Sequence, residues 1–251
     1  MVHGPLRARE GSLVQYKKWE ILLGAIRRPD LVLRYLRGKQ PSEFDLDEVS
    51  KFVQSSTPVI VEAGAFDGRD TVSFSRRWPE GHVYAFEPLP TLASKVRAAT
   101  AGCGNVTVIE SAFASTEQST ITLYSFDPAL SEHGSSSMLP PGDHLEVAPE
   151  IKFDNEVTVP AITVDYWYQS VDQPIIDLLW LDLQGAELLV LQRGESLIAA
   201  TKCCHIEVSK KPLYQGGATF DDVRQFFTSR GFSLVKTRIP VRSGNAIFVR
   251  R

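Results

Sequence analysis

The residues best suited to chemistry surround a glycine-containing turn that follows a short apolar run. Glu62 lies near the end of this run, and Gly64 and Gly68 interrupt the pattern before a helix-like segment that includes Thr71. Glycine can adopt a positive φ and lets a ligand approach the backbone closely, and the following helix offers free N–H groups at its N-terminus. We therefore predict that this turn binds a small molecule.

The spacing of the turn separates two classes of ligand. A dinucleotide-binding turn has the pattern Gly-x-Gly-x-x-Gly, whereas Phe66 occupies the position of the middle glycine here. The acid at Glu62 favours a ligand that carries an ammonium group, such as S-adenosylmethionine, over one that carries a pyrophosphate. A second acid, Glu87, precedes Pro88 and lies at roughly the 20-residue offset at which a carboxylate binds ribose hydroxyls. Glu87 alone fits NAD as well as S-adenosylmethionine.

A third group of polar residues follows two later apolar runs. Asp182 ends the most apolar segment of the chain, residues 175–181, and strand alternation places His205 and Glu207 on one face of a later strand. Because parallel strands present their carboxyl ends to the ligand crevice, these side chains are candidate catalytic residues. Each has an alternative role: Asp182 could close a turn, and His205 could be a core residue. Glu207 could bind a substrate hydroxyl, orient His205 or be purely structural.

Three carboxylates of this region could also supply oxygen ligands to a divalent cation. They are Asp182, Glu187 and Glu207. Glu187 lies in the first turn of a predicted helix, where the helix dipole favours a carboxylate whatever its function. The sequence therefore makes a divalent metal possible without favouring it, and we assign no metal ligand.

Four segments together resemble the FkbM-type S-adenosylmethionine-dependent methyltransferases, and the resemblance covers residues 57–251. The segments are Glu62 to Thr71, Phe86 to Pro88, Thr163 to Asp165 and Ile176 to Glu187. This family usually has acid-x-Gly-Ala-Asn-x-Gly in its first motif and Lys-x-Asp-x-Glu-Gly-x-Glu in its later one. The chain has Phe66 in place of the Asn, Trp180 in place of the Lys and Gln184 in place of the Glu.

The resemblance implies a fold and an activity. The implied fold is α/β, a Rossmann-like class I methyltransferase fold with a mostly parallel seven-stranded sheet, a closing antiparallel strand and additional N-terminal helices. The implied activity is transfer of a methyl group from S-adenosylmethionine to a hydroxyl of a sugar or a small natural product. The three departures from the family pattern motivate an alternative, a binding or scaffold protein that keeps the fold without turnover.

The turn pattern and the resemblance together assign roles to individual positions. The positions expected to bind the cofactor are Glu62, Gly64, Ala65, Phe66, Gly68, Thr71, Glu87, Pro88, Ser111, Ala112 and Asp182. Those expected to bind the substrate are Gln184 and Glu187. The expected acceptor is a small molecule or a glycan that offers a hydroxyl group.

Length and composition indicate the domain organisation. With 251 residues, of which 43% are hydrophobic and 23% charged, the chain is typical of a soluble globular protein with one sizeable core. We predict a methyltransferase domain over residues 57–251 and an N-terminal helical extension over residues 1–56. The extension is expected to contain one or two helices within residues 12–37, a linker at residues 38–42 and a short helix from Phe44 to Val53.

The predicted extension is basic. Residues 1–40 contain nine Lys or Arg residues and three Asp or Glu residues, whereas the whole chain carries a net charge of −3. The acidic remainder argues against nucleic acid as a partner. The amphipathic helices favour packing against the core or against a second copy of the chain, and their basic face makes contact with a membrane surface an alternative.

Residues 127–155 are the least regular segment, with four prolines and a run of three serines. A loop of this length in a compact domain is typical of a mobile segment that covers the bound substrate, and we predict such a cover here. The alternative is that the segment is disordered.

The three cysteines form neither a disulfide framework nor a zinc-binding pattern. The first residues also lack the apolar core of a signal peptide. We therefore expect a cytoplasmic location.

Overall fold

The computed structural model describes residues 41–125, 136–142, 155–239 and 242–251. The chain divides into two compact units, Met1–Phe44 and Asp45–Arg251. The helices predicted within residues 12–37 and most of the predicted cover at residues 127–155 lie outside the described residues. Every predicted site residue belongs to the second unit.

Ten strands form two sheets in the described part of the second unit. In chain order they are β1 (Val59–Ala63), β2 (His82–Phe86), β3 (Val106–Ile109), β4 (Ala112–Ala114), β5 (Thr120–Ser125), β6 (Asn155–Thr163), β7 (Ile176–Leu181), β8 (Thr201–Ser209), β9 (Phe232–Arg238) and β10 (Ser243–Arg250). The larger sheet has seven strands in the order β3-β2-β1-β7-β8-β10-β9, and β10 runs antiparallel to both of its neighbours. This arrangement confirms the predicted α/β class I methyltransferase fold.

The centre of the larger sheet is buried on both faces. All six residues of β7 are buried, as expected for a strand in a parallel sheet that helices cover on both sides. The apolar segment predicted as a central strand at residues 175–181 corresponds to β7. Because β7 pairs with β1 on one side and with β8 on the other, the residues that follow these strands meet at one edge of the sheet.

Seven described helices accompany the strands. They are α1 (Pro41–Val49), α2 (Arg69–Arg77), α3 (Pro90–Ala99), α4 (Val164–Ser170), α5 (Glu187–Leu191), α6 (Glu195–Ala200) and α7 (Phe220–Ser229). Thr219 and Asp222 form reciprocal hydrogen bonds at the start of α7, which satisfy two backbone N–H groups. Within the described residues, no helix combines the length and the apolar character needed to cross a membrane.

Helix α1 differs in its bounds from the predicted short helix. It begins at Pro41, inside the predicted linker, and ends at Val49. Leu46 and Val49 are buried in one core cluster with Trp180 of β7. Both residues belong to the compact unit that begins at Asp45.

The smaller sheet has the order β4-β6-β5, with β4 parallel and β5 antiparallel to β6. Alternation of side-chain type at residues 119–126 predicts a strand, and β5 lies within it. A short edge strand is predicted at residues 157–160, and β6 extends well beyond it. Strand β4 was not predicted, because three residues are too few to show an alternation. A bridge between Tyr124 and Ser137 places the described segment 136–142 beside β5.

Candidate functional site

The loop between β1 and α2 is joined to the ends of two neighbouring strands. The backbone N–H groups of Gly64 and Ala65 both donate to the carbonyl oxygen of Phe86, at 3.0 and 2.9 Å. The N–H of Asp182 donates to the carbonyl oxygen of Ala63 at 3.0 Å. These bonds hold the carboxyl ends of β1, β2 and β7 side by side.

Gly64 allows this junction to form. Its φ is +95°, and a Cβ atom at this position would lie 2.1 Å from the carbonyl oxygen of Asp182. Any other residue would therefore meet both backbone strain and a clash. Gly68 is buried and lies immediately before α2, so both glycines occupy the turn that the sequence predicted.

Glu62 lies beneath this loop and bonds to the helix that follows it. The hydroxyl of Thr71 donates to Oε2 of Glu62 at 2.6 Å, and both side chains are buried. Burial raises the pKa of Glu62 well above its ordinary value, and the nearby charge of Asp70 adds to the effect. The Glu62 carboxyl group therefore joins the end of β1 to the first turn of α2.

Glu87 connects the first two site loops. Its Oε2 atom accepts a hydrogen bond from the N–H of Phe66 at 2.9 Å, and its Oε1 atom accepts one from the N–H of Leu89 at 3.0 Å. Burial raises the pKa of Glu87 to about 7, although both hydrogen bonds act in the opposite direction. Pro88, between these partners, is half-buried.

An apolar cluster lies next to these loops. Ala112, the first residue of β4, is buried in it together with Leu89 and Leu92, and the half-buried ring of Phe66 packs against it. Ser111 is half-buried and directly precedes Ala112. The residues predicted to bind the cofactor therefore come together at the ends of β1, β2 and β3.

A second group consists of three carboxyl groups, of which Asp182 directly follows β7, Glu187 begins α5 and Glu207 lies on β8. Oxygen atoms of Asp182, Glu187 and Glu207 all lie within 4.8 Å of one another. Glu187 is buried, Glu207 is half-buried and Asp182 is exposed. The structure thus brings together three of the side chains that the sequence marked as catalytic or substrate-binding.

The surrounding protein removes water from all three carboxyl groups and thereby raises their pKa values. Burial raises the pKa of Glu187 to about 7. Burial, followed by the charges of Asp182 and Glu187, raises the pKa of Glu207 well above its ordinary value. The protein around the Asp182 carboxylate raises its pKa too, but hydrogen bonds from Gln184 and from Glu207 oppose that rise. The surroundings therefore favour the protonated form more strongly at Glu207 than at Asp182.

Gln184 bridges two of these carboxyl groups. Its Nε2 atom donates to Oδ1 of Asp182 at 2.6 Å and to Oε2 of Glu207 at 3.0 Å. Its Oε1 atom accepts a hydrogen bond from the hydroxyl of Tyr214 at 3.0 Å, and its backbone carbonyl accepts one from the hydroxyl of Ser137 at 2.9 Å. Four described residues thus determine where the Gln184 side chain and backbone lie.

Glu187 holds the turn after β7. Its Oε1 atom accepts hydrogen bonds from the N–H groups of Leu183 at 2.8 Å and Gly185 at 3.3 Å. A cavity with about 20 Å³ of space for the centre of a water molecule lies beside Glu187 and Glu207, with Ser209 and Ser243 also in its wall. This volume is enough for about one water molecule.

His205 lies on β8 and is buried in the protein interior. Its ring is 3% exposed and stacks on Trp180, with the ring centroids 3.5 Å apart. Its Nε2 atom is 3.3 Å from Oδ2 of Asp45, which also accepts a hydrogen bond from Nδ2 of Asn245 at 2.5 Å. Neither ring nitrogen makes a well-aligned hydrogen bond with a described residue. Protonated His205 would therefore form an ion pair with Asp45.

The three carboxyl groups could each offer an oxygen atom to a divalent cation. Some of their oxygen atoms already accept hydrogen bonds, from the Gln184 amide at Asp182 and Glu207 and from backbone N–H groups at Glu187. Because a carboxyl group has several lone pairs, each group keeps at least one for a hydroxyl group or a cation.

Sequence reasoning missed three residues that touch the site. Tyr214 and Ser137 hold Gln184, and Asp45 contacts His205. Ser137 lies in the irregular segment 127–155, and Tyr214 lies between residues 210 and 219, where glycine and proline predict a loop. No periodicity marks one residue above another in either segment. Asp45 lies on a helix that the sequence assigned to the extension. Only the fold brings these residues to the ends of β7 and β8.

Comparisons with known proteins agree with the predicted family. The sequence profile of the methyltransferase FkbM domain matches residues 62–234. The chain is 26% identical over 216 residues to the 2-O-methyltransferase NoeI of Sinorhizobium fredii (strain NBRC 101917 / NGR234). The matched region covers 83% of each protein.

Among solved structures, the chain is similar to an rRNA methylase from Streptococcus thermophilus, with a TM-score of 0.46, 13% identity, and coverage of 84% of this chain and 97% of that one. It is also similar to a SAM-dependent methyltransferase from Aquifex aeolicus, with a TM-score of 0.44, 13% identity, and coverage of 86% and 96%.

Proposed function

The chain belongs to the FkbM methyltransferase family, and we propose that it transfers a methyl group from S-adenosylmethionine to a hydroxyl oxygen of a sugar or a small natural product. Family membership accounts for the methyl transfer. The accepting atom, the acceptor and the roles of individual residues are inferred from the chemistry of the site.

The loops after β1 and β2 and the start of β4 would hold the cofactor. Each oxygen of the Glu87 carboxylate accepts one backbone hydrogen bond and has a second lone pair for a ribose hydroxyl. Phe66, Leu89 and Ala112 offer an apolar surface for a flat base. S-adenosylmethionine, when bound, supplies a methyl group on a positively charged sulfur that is ready for displacement.

Asp182 is the residue that we assign as general base. The observation that carries this assignment is that Asp182 belongs to both groups of site residues. Its N–H bonds to the end of β1 beside Gly64, while its exposed carboxylate meets Gln184 and Glu207. A hydroxyl that donates to this carboxylate would lie next to the loop that holds the cofactor. Asp182 would orient that hydroxyl and accept its proton as the methyl group is transferred.

Glu207 has a different role from Asp182 because the two groups differ in their environment. The charges around Glu207 favour its protonated form, whereas the Gln184 amide favours ionised Asp182. Two neighbouring acids with separated pKa values are typical of a site in which one is a base and the other a hydrogen-bond donor. Neutral Glu207 would donate to Asp182 and favour its ionised form, and ionised Asp182 would take the proton of the acceptor hydroxyl.

The density of polar groups favours an acceptor with more than one hydroxyl. Asp182, Gln184 and Glu207 can each bond to a hydroxyl group, which is the chemistry of sugar recognition. The name of the Sinorhizobium fredii relative, a 2-O-methyltransferase, supports oxygen as the accepting atom.

Two measurements test the proposal. Isothermal titration with S-adenosylhomocysteine should give a binding signal. Methyl transfer from isotopically labelled S-adenosylmethionine to a panel of monosaccharides, methyl glycosides and oligosaccharides should give an O-methylated product in at least one case. Asp182→Asn should abolish that product while leaving the binding signal in place. Binding without transfer to any acceptor would favour a binding or scaffold protein, and methylation on nitrogen or carbon would refute the assigned accepting atom.

A further inference from the structure

The Gln184 amide has one orientation that satisfies its neighbours. With Nε2 towards the carboxyl groups, its two N–H bonds reach Asp182 at 2.6 Å and Glu207 at 3.0 Å. The opposite orientation would turn Oε1 towards two carboxyl groups that are themselves rich in acceptor atoms. The bridge between Asp182 and Glu207 therefore depends on which way this amide faces.

Tyr214 is placed to fix that orientation. Its side chain is 2% exposed, and its ring packs so closely against Gly185 that a Cβ atom there would lie 3.1 Å from the ring. Burial, followed by the charges of Glu207 and Asp182, raises the pKa of Tyr214, so the hydroxyl stays protonated. It can therefore donate to Oε1 of Gln184, as the 3.0 Å contact indicates.

The elements that carry Tyr214 and Ser137 are joined to each other. Tyr214 forms a bridge with Pro141, and the N–H of Gln215 donates to the carbonyl oxygen of Pro140 at 2.8 Å. Ser137, in the same segment as Pro141, donates to the backbone carbonyl of Gln184. Two segments that are distant in sequence thus hold the backbone and the side chain of one glutamine.

We infer that Tyr214 is a positioning residue, which through the Gln184 amide holds Asp182 and Glu207 together as the carboxyl pair that binds the acceptor hydroxyl. The part about the acceptor rests on the proposed function, whereas the coupling of the four residues does not. Without the Tyr214 hydroxyl, the amide could rotate and Asp182 would lose a donor that favours its ionised form. Asp182 would then be protonated at a higher pH and would be a poorer base at neutral pH.

Two substitutions test this coupling, and one serves as a matched control. Tyr214→Phe removes the hydroxyl but keeps the ring against Gly185. Gln184→Ala removes the amide without changing Tyr214. The control is Tyr168→Phe, because Tyr168 is also buried and its hydroxyl donates to the carbonyl oxygen of Pro174 at 2.7 Å, before the amino end of β7. The groups that can titrate around Asp182 are Glu187, Glu207, His205 and Tyr214.

The measurement is the ¹³C chemical shift of the carboxyl carbons as a function of pH, in the full chain without cofactor or acceptor. Loss of a signal in Asp182→Asn or Glu207→Gln assigns the two residues. We expect Tyr214→Phe and Gln184→Ala each to move the Asp182 titration to higher pH, by about 0.5–1 unit for one weakened charge-assisted hydrogen bond. The double variant should shift no further than Gln184→Ala alone. Tyr168→Phe should titrate like the wild type.

Three results would overturn the inference. They are an unchanged Asp182 titration in Tyr214→Phe, an unchanged titration in Gln184→Ala, or a shift in the double variant equal to the sum of the two single shifts. Should Tyr214→Phe not fold, an unchanged Asp182 titration in Gln184→Ala would still overturn the inference. Failure of S-adenosylhomocysteine to bind the wild type would refute the proposed function but leave this titration as it is, so the two failures are distinguishable.

Discussion

Replacing Gly64 with alanine should damage both the fold and the cofactor site, and the structure indicates by how much. The backbone at this position has a φ of +95°, which costs an L-residue about 1–3 kcal/mol. The added Cβ would also lie 2.1 Å from the carbonyl oxygen of Asp182, a backbone atom that cannot rotate away as a side chain could.

Relief of this clash requires the loop and the end of β7 to separate. That movement would stretch the hydrogen bond from the N–H of Asp182 to Ala63, and those from the N–H groups of Gly64 and Ala65 to Phe86. Overpacking of this kind costs about 1–3 kcal/mol. Together the two effects predict a loss of about 2–6 kcal/mol, which is a large part of the stability of a typical domain.

The assay is urea unfolding of the wild type, Gly64→Ala and Gly102→Ala at one pH, followed by circular dichroism. Gly102 is the matched control, because a Cβ atom there would meet no other atom within 4 Å and its φ is not positive. Gly102→Ala should be neutral or slightly stabilising, since alanine restricts the unfolded chain. Titration with S-adenosylhomocysteine should show a weaker affinity for Gly64→Ala alone. A free energy of unfolding for Gly64→Ala within about 0.5 kcal/mol of the control would refute the reasoning.

Three further predictions follow from the site. Glu87→Ala should weaken S-adenosylhomocysteine binding by about 10- to 100-fold, as expected for loss of hydrogen bonds to a charged group. Glu110→Ala, at the end of β3, is the control and should bind like the wild type in the same titration. Equal affinities of the two variants would contradict the ribose role of Glu87. Asp182→Asn should lower turnover of any methylated acceptor by more than about 100-fold, while the binding of S-adenosylhomocysteine stays nearly unchanged. Normal turnover in this variant would exclude Asp182 as the base. Burial raises the pKa of Glu187 from 4.5 to about 7, so the folded protein binds a proton that the unfolded chain releases between these values. Stability from this group is complete below about pH 4.5 and is lost as the pH rises to about 7. Glu187→Gln should therefore gain stability relative to the wild type over this range, by up to about 3 kcal/mol, and a difference in thermal unfolding that does not change with pH would argue against it.

The sequence predicted the parts of the fold that depend on local pattern. The apolar run of β7 and the glycine turn after β1 are features of short segments, and both lie where the sequence placed them. Strand β4 has three residues and shows no alternation, so only its pairing with β6 reveals it. Helix α1 was predicted with other bounds, because its low amphipathicity gives no clear signal for where it begins.

The contacts within the candidate site could be predicted only in part. Asp182, Glu187 and Glu207 were marked from strand pattern, from the crevice expected at the carboxyl ends of parallel strands and from the family resemblance, and the fold brings them together. The bonds from Ser137 and Tyr214 to Gln184 join residues that are 47 and 30 positions apart. Such pairings depend on how loops cross the end of the sheet, which a single sequence does not encode in any local spacing.

The place of β10 has a consequence for how the sheet is completed. This strand follows β9 in the chain but lies between β8 and β9, and it pairs with both. During synthesis its two neighbours are therefore made first, and each exposes a row of unpaired backbone groups until β10 arrives. Open strand edges of this kind invite association between chains. The nascent protein is thus most vulnerable to aggregation just before its final strand is inserted.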